Sequence, residues 1–337
     1  MALTTRIDDF GDLLLHVYRL AHEEPLDRFQ DASLDALRHV LPFDSSMWGS
    51  ATLGTAGIEI HTLHLDRQPP EMLAGYEEVK HLDTAALQVA GLPRATLGFD
   101  ASVQFGAPHQ RAIKAYGDRF DQRHFFITSA VNPVNGLTQW ITLFRSRADA
   151  YGTERERCLL AGVAPHLQQA MGYNRVRHME AQPHTGAATG SAGRDAAAQR
   201  AQAVVDRHGV VYHSTLAFDA LMRAEWDAPP TGRLPAPLMQ CFASGGTRFA
   251  GRTLVARCHV ERDLLFVRVR AACEADRLTP REWQIAWLVA QGRSHKEIAR
   301  DLERAPATVR NHIQAIYRRL EVGSVAELIA ALQTAGD

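Results

Sequence analysis

The sequence predicts a multidomain α+β chain that ends in an all-α domain of four helices. Three observations lead there: a Gly/Ala/Ser/Thr-rich stretch at 181–198, alternating β-type runs before and after it, and three Ser/Thr-x-x-Glu helix starts within residues 279–327. At 337 residues the chain is also longer than one hydrophobic core comfortably fills. Its 46% hydrophobic and 22% charged content is ordinary for a globular protein. No run approaches the ~20 apolar residues of a membrane-spanning helix. Asp8, Asp9 and Asp12 stand where a signal peptide would be basic and then apolar, so a cytoplasmic location without membrane contact is expected. Cys158, Cys241, Cys258 and Cys273 show no paired spacing, which favours buried or bystander thiols over a zinc site or disulfides.

The first unit covers 1–180. Ile7, Phe10, Leu13, Leu14 and Val17, then Leu34, Leu37 and Val40, have the spacing of two amphipathic helices at 6–20 and 26–40. Gly57–Leu65 alternates like a strand, and 125–144 reads as a hairpin turning tightly at Asn135-Gly136. Thr153 and Glu156 form a capping box for a long helix that Pro165 should bend or break. After the flexible linker at 181–198 comes a small unit at 199–272. In it Gly209 turns between Val204-Val205 and Val210-Val211, and 251–260 can pair with 263–270.

The last unit, 276–337, divides by its own punctuation. Thr279/Glu282, Ser294/Glu297 and Ser324/Glu327 are capping boxes; Pro280 suits a first helical position, and Gly292 suits a helix end. Between the second and third boxes, Val309, Ile313, Ile316 and Leu320 recur at four, three and four residues along a helix over 306–320. The other face carries Arg310, Asn311, Gln314 and Arg318. Arg can bridge guanine O6 and N7, and Asn or Gln can pair with adenine. Two short helices joined by a tight turn, the second polar and basic outward, make a helix-turn-helix pattern. The net charge of −1 is compatible with DNA binding, because Arg304–Leu320 contains Arg304, Arg310, Arg318 and Arg319 and no acidic residue.

LTPRE, GRSHKEIARDL, ATVRNHI and IYRRLEV in this unit resemble the C-terminal DNA-binding domain of the LuxR family, also called the NarL/FixJ type. The resemblance implies that the third helix enters the major groove of double-stranded DNA. Arg310, Asn311 and Gln314 would then contact bases, with Lys296, Thr308, His312 and Arg318 in backbone or positioning contacts. For His312, a phosphate contact and packing on the scaffold helix remain equal alternatives. Arg304-Ala305 stands where the family has an aliphatic residue and Ser, Val325 where it often has Arg, and Gln284 where it has Glu. A homodimer is expected, since paired half-sites let a small module reach useful affinity. RNA polymerase and a small-molecule effector are further candidate partners. Phe125–Val176 resembles GAF-like input domains, which implies a GAF/PAS-like sensor domain over 1–180. The opening of 199–272 looks like a degenerate PAS domain, with an irregular β-rich spacer as the alternative.

Trp48, Tyr76, Asp83 and Trp140 are candidate lining residues for an effector pocket, against the simpler reading that they pack the core. The acyl-homoserine-lactone sensors of the LuxR family carry a W-x-x-x-Y element and an Asp-Pro pair, and both are missing around Trp48 and Asp83. His61-x-x-His64 with Asp66 suggests a metal only superficially, because strand residues three apart point to opposite faces. Neither a metal nor a cofactor is expected. No nucleophile elbow, phosphate loop or Cys/His pair points to an enzyme. Trp283 and Trp287 are expected to seal the last unit against its neighbour. The leading expectation is a sequence-specific transcription regulator. The alternatives are a regulator that acts only through protein contacts and an enzyme-like N-terminal domain fused to a DNA anchor.

Overall fold

The computed structural model describes residues 10–54, 57–90, 92–181, 201–229 and 232–336. The Asp8-Asp9 pair and the expected linker beyond Ala181 lie outside these residues. Among the described residues no helix is long and apolar enough to cross a membrane.

The first unit opens with α1 (Phe10–Glu23) and α2 (Phe29–Val40). Then follow β1 (Ser45–Gly54), β2 (Gly57–Asp66), α3 (Glu71–Val79), α4 (Thr84–Ala90), β3 (Arg94–Asp100), α5 (Ala101–Gln104), α6 (Arg111–Arg119), β4 (His124–Val131), β5 (Thr138–Arg145) and α7 (Glu154–Ala181). The strands form one antiparallel sheet in the order β2-β1-β5-β4-β3. Because side chains alternate along a strand, the sheet presents two different faces. Trp48, Phe126, Ile141 and Leu143 pack against Leu13, Val17, Leu34, Leu37, Leu160, Val163 and Leu167 from α1, α2 and α7. Phe125, Ile127 and Phe144 face the other way, toward Val79, Ala85, Val89 and Ile113 from α3, α4 and α6. The sheet is therefore the middle of three layers.

Two local expectations change in the structure. Pro165 lies inside α7, which runs unbroken to Ala181. A cavity of about 160 Å³ beside it is lined by Ala161, Ala164, Pro165 and Gln168 together with Thr96 and Thr128 of the sheet. The Asn135-Gly136 turn is not a two-residue hairpin, because residues 132–137 separate β4 from β5. Gly136 supplies the positive φ (+70°), and the Asn135 amide donates to the Val211 carbonyl of the next unit at 2.9 Å.

The second unit is a complete small α+β fold, not an irregular spacer. It contains β6 (Ala201–Asp206), β7 (Val211–Ser214), α8 (Leu216–Glu225), α9 (Ala236–Ala243), β8 (Arg248–Ala250), β9 (Leu254–Glu261) and β10 (Leu264–Ala271). The antiparallel order β7-β6-β10-β9-β8 repeats the plan of the first sheet. Gly209, at φ +81°, makes the turn after β6, and the Thr215 hydroxyl caps α8 by accepting from Phe218 N. One face buries Val205, Phe218, Leu238, Phe242, Leu254 and Val267. The other face contributes Val204, Leu264 and Phe266 to a cluster with Leu26 and Met179, so the end of α7 packs on the second sheet.

The chain then makes a short 3-10 turn (Glu274–Arg277) and closes with α10 (Pro280–Ala290), α11 (His295–Asp301), α12 (Pro306–Leu320) and α13 (Val325–Gly336). Their shared core holds Leu278, Ile285, Val289, Ile298, Val309, Ile316, Leu328 and Leu332.

Candidate nucleic-acid interface

The helix starts are built as local chemistry dictates. The Thr279 and Ser294 hydroxyls accept from the amides of Glu282 and Glu297, while those carboxylates reach back to the cap amides at 2.8 Å. The third box is offset: Ser324 Oγ accepts from Glu327 N, but the Glu327 carboxylate takes Gly323 N. Gly292, at φ +81°, ends α10. α12 begins without a side-chain cap, because Ala305 occupies the N-cap and Pro306 the first position. A missing hydroxyl cap typically costs about 1 kcal/mol, and Pro306, with φ already set and no amide to satisfy, offsets part of that. At its other end α12 stops at Glu321 in the left-handed region (φ +54°).

α12 packs Val309 and Ile316 inward, with Ile313 and Leu320 at the margin. Thr308, Arg310, Asn311, Gln314 and Arg318 are exposed on α12, and Lys296 is exposed on α11. Among the described residues neither α+β unit covers this polar face. Among the described residues Arg310 and Arg318 make no ion pair; Arg310 Nη2 lies 3.4 Å from His295 Nε2, a weak tie between α12 and the start of α11. Arg319 differs. Its guanidinium donates to Glu282 Oε2 at 2.8 Å and so braces α12 on α10. The Glu282 carboxyl is held below the usual carboxylate range by the Thr279 amide and hydroxyl and then by Arg319. His312 is half-buried, between the inward and outward faces of α12. Trp283 packs against the four-helix core, whereas Trp287 is 49% exposed and seals nothing among the described residues.

The four residues proposed to line a pocket do not share one site. Trp48 is buried on the α1/α2/α7 face with its ring 6.2 Å from that of Phe29. Trp140 pairs across the sheet with Gly49, where a Cβ would stand 2.6 Å from Trp140 Cη2. Tyr76 and Asp83 come together on the α3/α4 side, where the phenol donates to Asp83 Oδ2 at 2.9 Å and Ala86 N donates to Oδ1 at 2.8 Å. Telling these faces apart requires strand register, which residue spacing alone does not supply. His61 and His64 also diverge: His64 Nε2 meets Asp31 at 2.8 Å, whereas His61 faces the second unit.

Burial raises the Asp83 pKa, against the lowering effect of the Ala86 and Tyr76 hydrogen bonds. A folded pKa above the unfolded value of about 3.9 means that stability falls as pH rises through the folded pKa. We therefore expect Asp83→Asn to leave the melting temperature at pH 7 unchanged or higher, and to reduce the gain seen on acidifying from pH 7 toward about 4. The amide can keep both bonds by accepting from Ala86 N and donating to the Tyr76 oxygen. Thermal melts at the two pH values check this, and a clear drop at pH 7 would show that the ionised carboxylate is needed.

Residues 276–332 match the family described as bacterial regulatory proteins, luxR family. Among solved structures, the chain is similar to the N-acylhomoserine-lactone-dependent LuxR-family transcription factor CepR2 of Burkholderia cenocepacia, at 18% identity and a TM-score of 0.38 over 48% of this chain and 92% of that one. It is similar to Escherichia coli SdiA at 12% identity and a TM-score of 0.37 over 97% of each chain. It is also similar to the phycoerythrobilin-bound GAF domain of a cyanobacterial phytochrome, at 12% identity and a TM-score of 0.36, over 50% of this chain and 98% of that domain. The four C-terminal helices, with capping boxes opening the first two and a polar third helix turned outward, are a helix-turn-helix domain of the luxR family.

Proposed function

We propose that this protein is a sequence-specific transcription regulator that reads the major groove with α12 while its two α+β units, over 1–180 and 199–272, act as sensors. The observation that carries this is the exposed row of Arg310, Asn311, Gln314 and Arg318, left open by the described residues and backed by a buried aliphatic stripe. Arg310, Asn311 and Gln314 are assigned to base edges. Lys296, Thr308 and Arg318 are assigned to the sugar-phosphate backbone, and His312 to positioning through α10. DNA of two half-sites bound by a homodimer fits a domain this small. Tyr76 and Asp83 are the polar pair of the first unit that an effector would address.

Two substitutions separate the assigned roles. Arg310→Ala is expected to cost about 1–3 kcal/mol on the preferred duplex and to relax base preference at one position. Lys296→Ala should weaken all sequences alike and lower the salt slope by about one. Fluorescence anisotropy on selected and scrambled duplexes at several salt concentrations gives both readouts. Unchanged affinity and selectivity in Arg310→Ala means that the recognition face is assigned wrongly.

A further inference from the structure

Glu59 and His61 lie on β2, at the edge of the first sheet, and His208 lies in the turn after β6 of the second. One donor atom from each falls within 4.8 Å of the others. Glu59 Oε1 and His208 Nδ1 are 3.1 Å apart, and the two imidazole rings are centred 4.9 Å apart. His61 has its side chain wholly enclosed. Its Nε2 is fixed by Thr52 Oγ1 at 2.8 Å, yet its Nδ1 makes no hydrogen bond. Asp206 Oδ2, equally enclosed, lies 3.4 Å from that Nδ1. If Nε2 carries the proton and donates to Thr52, a nitrogen lone pair faces a carboxylate oxygen in a buried space. Two acceptors meeting without a proton are costly there, and a cation between them removes the conflict.

We propose that Glu59, His61 and His208 bind one divalent transition-metal ion, Zn2+ by preference, at the seam between the two α+β units, with Asp206 Oδ2 as the nearest further donor. Imidazole and carboxylate donors suit zinc, and ligands at about 2.0–2.2 Å from one ion stand about 3.3–3.5 Å apart, close to the separation of Glu59 and His208. The bond from Thr52 to the far side of the His61 ring is the outer-shell contact that fixes which nitrogen ligates. The carboxylates of Glu59 and Asp206 match a 2+ charge, and the positive charge of Arg233, which also acts on His61, is left over. The ligands come from both units, so the ion joins them. Glu59 and His208 are about half exposed, so it can exchange with solvent.

The test is calorimetric titration of the chelator-stripped full chain with Zn2+, repeated with Mg2+, on wild type, His208→Ala, Glu59→Gln and the exposed control His109→Ala. The expected result is one saturable Zn2+ equivalent that His208→Ala and Glu59→Gln each weaken by more than ~10-fold, the scale on which even outer-shell changes act. His109→Ala should match wild type, Mg2+ should give no comparable heat, and Co2+ should show the visible bands of a tetrahedral site. Circular dichroism of each variant confirms folding; His61 is left intact because it is buried. Absence of saturable Zn2+ binding, or binding that survives both ligand substitutions, overturns the proposal.

Discussion

Ile316→Ala is expected to abolish DNA binding without altering a single outward-facing residue. Ile316 is 1% exposed at the centre of the α10–α13 core, among Val309, Ile298, Ile285 and Leu328. Truncating a buried Ile to Ala costs about 2–5 kcal/mol through lost transfer energy and the cavity left behind. A domain of about 60 residues has only ~3–9 kcal/mol in total at 0.05–0.15 kcal/mol per residue. The loss therefore consumes much of its stability. Hydrogen exchange should show α10–α13 opening while the protection of β1, β4 and β5 is unchanged, since those strands belong to a separate core. Equal loss of protection across the chain would contradict this separation.

The second large effect belongs to Asp276, in the 3-10 turn that joins the second sheet to the helix-turn-helix. Its Oδ1 accepts from Arg248 and from Arg270 Nη2, both at 2.8 Å, and its Oδ2 accepts from Arg270 Nη1 at 2.6 Å and from Cys273 N at 2.9 Å. Arg270 also donates to the Ala335 carbonyl at the end of α13, so this cluster ties sheet, turn and last helix together. Burial alone would raise the Asp276 pKa, but the bonds from Arg270 and Cys273 outweigh it and hold the carboxyl far below the usual range. A depressed folded pKa gives stability that is present above the unfolded value of about 3.9 and lost only as pH falls through the folded one. The attachment should therefore survive mild acid. Asp276→Ala removes the carboxylate that two guanidinium groups share, an event worth about 3–5 kcal/mol when a pair is fully buried and less here, because Arg248 is partly exposed and Arg270 keeps its bond to the Ala335 carbonyl. We expect α10–α13 to remain folded but to come loose from the second sheet, with faster proteolysis between 271 and 280. Unaltered cleavage there would show that the cluster does not hold the two together.

What the sequence made legible follows from how local each signal is. Thr279, Ser294 and Gly292 act within four residues, so α10 and α11 could be placed before any coordinate was known. The stripe of Val309, Ile313, Ile316 and Leu320 likewise needs only a helical period. Offsets arise where two local partners compete, as when Glu327 takes the Gly323 amide instead of that of Ser324. The pocket residues were beyond reach for another reason. Trp48 and Trp140 lie on adjacent strands, but their relative faces depend on the β1–β5 register, which sets Trp48 opposite Ile141 and Trp140 opposite Gly49. Least legible is the seam between the two sheets. There Tyr212 bonds to Ser50, Arg175 lies 4.4 Å over the Tyr212 ring, and His61 meets Asp206, partners some 40 to 160 residues apart that no window of sequence connects.

The most direct measurement is methylation interference on a duplex selected by the full chain from a random pool. Methylation at guanine N7 fills the major-groove position that Arg310 is assigned to read, whereas methylation at adenine N3 lies in the minor groove. Interference confined to guanine N7 within two half-sites is the predicted result. Binding that tolerates N7 methylation, or selection that yields no preferred sequence, contradicts a readout by α12.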